Sequence, residues 1–192
     1  MPDAFALFHL PRRPWLDAEI LKDEFHRRSA SLHPDAGGDA DQFAQLNASH
    51  QTLREPAARL RHLLELEAPE LLAQSQQIPP PLAGRFMRVA AARQSAASFL
   101  AKHRSASSPL AHALLAGEHA THSQNLNAAL ADLETAQTNA LAHLREIDDT
   151  WRERIPDIAR LHAELSYMEK WTAQLRELHL ALTLASNLKS VI

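Results

Sequence analysis

Apolar residues recur along this chain at three- and four-residue intervals, the spacing of one face of an α-helix. Proline cuts that pattern into segments. Positions 4–10, with Phe5 and Phe8 three apart, predict one amphipathic turn. After Asp17, a good N-cap, Ile20, Leu21, Phe25 and Leu32 predict a helix that stops near His33, because the residue before a proline is pushed out of the α region. The stretch 36–39 (Ala-Gly-Gly-Asp) reads as loop. A third helix is expected over 40–53 with Phe43, Leu46 and Leu53 inward. A fourth starts at Pro56, a favoured first helical position, with Leu60, Leu63 and Leu64 inward.

Beyond Ile78-Pro79-Pro80-Pro81, read as a stiff extended spacer, the apolar stripes lengthen. Leu126, Leu130, Leu133, Leu141, Leu144, Ile147 and Trp151 form one stripe. Ile158, Leu161, Leu165, Met168, Trp171, Leu175, Leu178 and Leu182 form another. With a helix over 86–100 and a loop over 105–109, they predict a three-helix antiparallel bundle. The expected organisation is all-α: a small helical domain over 1–68, a Pro-rich linker over 69–81 and a bundle over 82–192.

Composition narrows the function classes. Four Gly and 5% aromatic residues disfavour extensive β-structure, and the absence of Cys excludes disulfides, Cys-ligated metals and a thiol nucleophile. A formal net charge of −3 argues against general nucleic-acid binding. No apolar run approaches the ~18 residues of a membrane span. The first residues carry an acid before their apolar patch and Arg12-Arg13 after it, the reverse of a signal peptide, so an intracellular protein is expected. His112, His119 and His122 could in principle ligate a metal, but no H-E-x-x-H or comparable motif accompanies them, and they read as surface histidines. Phosphate-binding glycine loops are absent too, and no cofactor is expected.

One short motif carries information through its setting: His33-Pro34-Asp35, between two amphipathic helices, the first bearing Lys22, His26 and Arg27 outward. This arrangement resembles a J-domain, the module that activates DnaK-type chaperones. Asn47, Gln51-Thr52-Leu53-Arg54, Pro56, Arg59 and Leu63-Leu64-x-Leu66 resemble the HscB-type co-chaperones of iron–sulfur cluster assembly more closely. Phe86-Met87, the stretch 144–151 and 165–170 (Leu-Ser-Tyr-Met-Glu-Lys) extend the likeness into the second half.

The resemblance implies an adaptor rather than an enzyme. His33, Pro34 and Asp35 would engage the ATPase domain of a DnaK- or HscA-type chaperone, and Lys22, His26 and Arg27 would meet its acidic face. An exposed Asp35 can accept a bidentate Arg from the partner, with Pro34 holding the loop extended and His33 fixing it to the neighbouring helix. Arg28 stands where J-domains usually carry an apolar residue, and its stem can pack while its head reaches water. Phe86, Met87, Arg93 and Tyr167 match the surface with which the family holds its IscU-like cluster scaffold, and Ala90 lies on it in place of a larger apolar residue. Ala91 and Gln94 stand where that surface carries acids. Three readings follow: the scaffold-delivering co-chaperone, a J-domain adaptor for another client, and a His-based metal enzyme. The location implied is the cytoplasm, or the mitochondrial matrix in a eukaryote, and a homodimer through the long stripes stays open.

Overall fold

The computed structural model describes residues 2–33, 37–72 and 78–187, the side chains of Pro109, His112 and Asn187 excepted. Its regular elements are helical: α1 (Ala4–Leu7), α2 (Ala18–Leu32), α3 (Ala40–Arg54), α4 (Pro56–Glu67), α5 (Pro69–Leu72), α6 (Ala83–Ser105), α7 (Pro109–Glu146) and α8 (Ile155–Asn187). Two compact units result. One comprises 1–77 with 140–165, and the other 78–139 with 166–192.

Local chemistry sets the boundaries in the first unit. The Asp17 carboxylate accepts from the amides of Glu19 and Ile20, and Asp39 accepts from Gln42, so three of the otherwise unpaired first-turn donors are satisfied. At the far end of α2, His33 turns to extended geometry (φ −64°, ψ 131°), as a residue before proline must. The ring pairs Phe25–His50 and His33–Phe43 run in opposite order along the two segments, so α2 and α3 are antiparallel. Leu21, Leu46, Leu53, Leu60, Leu63 and Leu64 fill the core beneath them with Phe5 and Phe8. Ile20, expected inward, is instead exposed. The inward stripe runs Leu21–Phe25–Arg28–Leu32 at i, i+4, i+7 and i+11, and Ile20 lies about 100° away from it. Arg28 occupies its place in that stripe with its guanidinium 2.8 Å from Glu24 and 6.0 Å from the centre of the Phe8 ring.

A polar network straps the N-terminal segment onto this core. Arg12 bridges Asp3 and Glu67 (2.7 and 2.9 Å), and buried His62 accepts the Ala4 amide through Nε2. Buried Asp148 accepts from Arg13 and from the Trp15 amide. Arg59, only 5% exposed, donates to the carbonyls of Pro14 and Leu53 (2.8 and 2.6 Å).

Proline begins the second unit differently from the extended spacer expected. Pro79 is extended, but Pro80–Leu82 form one 3₁₀ turn whose last amide bonds the Pro79 carbonyl and leads directly into α6. The expected stripes are largely buried there: Leu126, Leu133, Met168, Trp171, Leu175 and Leu182 pack with Val89, Ala96 and Phe99 of α6.

Candidate functional site

Two surfaces gather the residues singled out in the sequence. The first is the tip and outer face of the α2–α3 hairpin. Pro34 and Asp35 lie outside the described residues. His33 is exposed, with its ring set edge-on against Phe43 at 5.0 Å, so the base of the connection is held to α3 by a side-chain contact. The connection closes through the Gly38 amide, which donates to the His33 carbonyl (3.1 Å). Gly37 takes φ +82°, the left-handed region that glycine enters without a Cβ penalty. A Cβ on Gly38 would overlap the Leu32 backbone. Gly38 is therefore required sterically, and Gly37 is favoured by its backbone conformation.

Lys22, His26 and Arg27 are all exposed on α2. Two of them are paired within their own helix: Lys22 with Glu19 at 3.0 Å, and Arg27 with Glu24, which also holds Arg28. The Glu19 contact raises the Lys22 pKa, and the two guanidiniums hold the Glu24 carboxyl below the usual range. Such exposed pairs are screened by solvent and contribute little, so a partner's carboxylate can compete for these cations at little cost. Beside them opens a cleft of about 490 Å³ lined by Trp15, Phe25, His26, His50 and Arg54. His50 stacks on Phe25 with ring centres 4.1 Å apart, and burial lowers its pKa, helped by the neighbouring charges of Arg54 and His26.

The second surface lies on the bundle. Phe86 and Met87 are 39% and 66% exposed, which excludes them from the core. Buried Trp171 underlies this patch, with Phe86 at 5.9 Å and Tyr167 at 5.6 Å between ring centres. Arg93 is exposed and Ala90 half-buried. Both line a groove of about 460 Å³ with Gln94 and Ala97 of α6 and with Gln174, Glu177, Leu178 and Ala181 of α8. Trp171 and Gln174 were not singled out in the sequence as parts of a surface. The 4-3-4-3 spacing of Tyr167, Trp171, Gln174, Leu178 and Ala181 was the available signal.

The histidines of the bundle are engaged elsewhere. His122 Nδ1 meets Ser95 Oγ at 2.9 Å, and His119 Nε2 donates to the Leu182 carbonyl at 3.0 Å. Both rings pack around Phe99. Among the described residues no group of three acids or histidines converges as metal ligands would, and the side chain of His112 lies outside them. No helix among those residues is long and apolar enough to cross a membrane.

Comparison with known proteins adds an independent line. No family model matches the chain. A protein named as a co-chaperone HscB homologue from Vibrio cholerae is 33% identical over 87 residues, covering 41% of this chain and 51% of that protein. Proteins of the same name from Chromobacterium violaceum (41% over 73 residues; 33% and 42% covered) and Paraburkholderia phymatum (36% over 86; 40% and 49%) also match. The similarity thus spans about half the length of these curated relatives. In three dimensions, the chaperone HscB from Vibrio cholerae superposes with a TM-score of 0.56 at 23% identity, over 94% of this chain and 99% of that one. At that identity the likeness is one of fold, and it covers both helical parts. The chain is thus similar to the HscB-type co-chaperones in sequence over part of their length, and in fold over nearly all of one of them.

Proposed function

We propose that this protein is a co-chaperone of iron–sulfur cluster assembly that acts on a DnaK- or HscA-type chaperone and delivers to it an IscU-like cluster scaffold. The chemistry belongs to the partner: this chain hydrolyses nothing itself. His33, Pro34 and Asp35 engage the chaperone's ATPase domain, with Lys22, His26 and Arg27 forming the flanking positive contacts. Phe86, Met87, Ala90, Arg93 and Tyr167 hold the client. A cytoplasmic setting follows from this role, or the mitochondrial matrix in a eukaryote.

The observation that carries the reading is the antiparallel α2–α3 hairpin, whose glycine-closed connection starts at His33 and contains the His-Pro-Asp tripeptide. A carboxylate on such a tip is suited to a bidentate Arg, and loss of one member of a desolvated pair costs about 2–5 kcal/mol. Two cations already paired on α2 change partners on docking, so they tune encounter more than affinity. Single-turnover ATP hydrolysis by a purified DnaK-type chaperone tests this. The chain is expected to accelerate it, and His33→Gln to abolish the acceleration; equal stimulation by the variant would refute the mechanism.

A second reading, an adaptor for a different client, is favoured by one observation: exposed Ala91 and Gln94 carry no charge where the family's scaffold surface is acidic. Failure of the chain to bind a purified scaffold at high micromolar concentration, with ATPase stimulation intact, would select it.

A further inference from the structure

The apolar patch and the groove follow one another along the same faces of α6 and α8, and together they are termed the trough. On α6, Phe86, Met87, Ala90, Arg93, Gln94 and Ala97 fall within about a third of the helix circumference. On α8, Tyr167, Trp171, Gln174, Leu178 and Ala181 follow each other by four, three, four and three, again one face. Residue numbers rise together on the two walls, from Phe86 against Trp171 to the groove of Ala90–Ala97 against Gln174–Ala181. An aromatic, half-open end therefore runs into a small-residue end of about 460 Å³.

The charges of this trough are distinctive. Between Ala83 and Ser105, α6 carries five cations, Arg85, Arg88, Arg93, Lys102 and Arg104, and no acid. Asp132 of α7 holds Arg85 and Arg88 (3.4 and 2.7 Å), and Glu118 approaches Lys102. Arg93, in the middle of the trough, has no carboxylate partner among the described residues. Glu177 lines the opposite wall without pairing to it. The amide oxygen of Gln174, which lines the same groove as Arg93, is buried and has no hydrogen-bond partner among the described residues. Buried acceptors without a donor are rare in folded proteins, and one lining a groove is met when an N–H arrives from outside.

Resting on the client-binding reading above, we infer that the trough takes an acidic segment of the client protein, an apolar side chain on Phe86 and Met87 followed by a carboxylate on Arg93. The client's backbone or side-chain N–H then meets Gln174. Small residues at Ala90, Ala97 and Ala181 allow the close approach of backbone that this contact needs. The carboxylate pairs with the one trough cation that has no internal partner among the described residues, so binding gains a charge contact without breaking one. Glu177 disfavours a second carboxylate on the α8 wall and so restricts the client's acid to the α6 side.

The test uses the full chain and a purified IscU-like scaffold as probe, titrated by calorimetry at low and at moderate salt. Met87→Ala is expected to weaken binding at least tenfold. Arg93→Glu should weaken it more than Arg93→Ala does, by roughly 10-fold or more, and should remove most of the salt dependence, because exposed charge pairs are screened within a Debye length of ~8–10 Å. Gln174→Leu, which deletes the acceptor at similar volume, should weaken binding about threefold to tenfold. All three positions lie on an exposed or half-buried face, and an unchanged circular dichroism melt separates lost contacts from lost fold. If Arg93→Glu binds as well as or better than the wild type while Met87→Ala is weakened, the acidic-segment inference is overturned and the client reading stands. If Met87→Ala leaves binding unchanged, or the scaffold does not bind at all, the client reading itself fails.

Discussion

Arg59 is the side chain on which the hairpin's support depends most, and its replacement can be reasoned quantitatively. Its guanidinium is buried between the Pro14 carbonyl and the carbonyl of Leu53, one of the last α3 carbonyls that lack an intrahelical donor. It therefore caps the C-terminal end of α3 with a positive charge, the sign the helix dipole favours there, and fixes the strap around Pro14 at the same time. Burial lowers its pKa to about 10, which sets the cost of keeping it charged at roughly 3 kcal/mol. Substitution by Met keeps most of the stem but leaves both carbonyls unpaired. Two orphaned acceptors at ~1–3 kcal/mol each, less the roughly 3 kcal/mol regained by not burying a cation, leave an expected loss of about 1 kcal/mol, with a ceiling of about 3 kcal/mol. For a chain of this size each kcal/mol lost lowers Tm by roughly 2–4 °C. Lys at this position retains a charge but not the fork, and should lose about half as much. Urea unfolding followed by tryptophan fluorescence measures it, since Trp15 and Trp151 report on this unit. An Arg59→Met variant more stable than wild type would refute the reasoning, because the two carbonyls it orphans would then cost less than burial of the cation.

Three further outcomes follow. The pKa of His162, which hydrogen-bonds the Ala57 carbonyl, is lowered chiefly by burial, and that of His50 likewise. Both bind protons more readily unfolded, so stability should fall as pH drops below ~6.5 towards their folded values. Replacing both by Gln should flatten that slope in denaturation profiles, and an unchanged slope would exclude them as its cause. Gly38→Ala, which sets a Cβ against the Leu32 backbone, should shift the hairpin connection and reduce ATPase stimulation several-fold while the second unit melts unchanged. Normal stimulation by this variant would show that the connection's geometry is not what the chaperone reads. Finally, Arg28→Leu should change stability by no more than about 1 kcal/mol, since the guanidinium contributes one partly exposed pair with Glu24 and an apolar stem already fills the seam. A larger loss in urea titration would assign Arg28 an essential contact.

Much of the first unit could be read from sequence because its signals are local. Asp17 and Asp39 cap, Pro34 and Pro56 punctuate, and leucines at helical spacing mark the inner faces. Ile20 misled because apolarity alone does not distinguish neighbours 100° apart on a helix, and the seam follows Leu21. The strap eluded sequence reasoning for a different reason: Arg13 and Asp148 are 135 residues apart, and ion pairs across such separations leave no periodic trace. On the bundle, Phe86, Met87 and Tyr167 stood out by resemblance, whereas Gln174 carried no mark. Its significance lies in an acceptor buried without a donor, which only packing reveals.

The most direct test of the account couples both surfaces in one assay. Single-turnover ATP hydrolysis by a DnaK-type chaperone is measured with the scaffold present, comparing wild-type chain with Asp35→Asn and Met87→Ala. An adaptor working at both ends predicts that chain and scaffold together stimulate more than the sum of each alone. Asp35→Asn should abolish all stimulation by the chain, and Met87→Ala only the excess due to the scaffold. Stimulation by Asp35→Asn equal to that of the wild type would contradict the account.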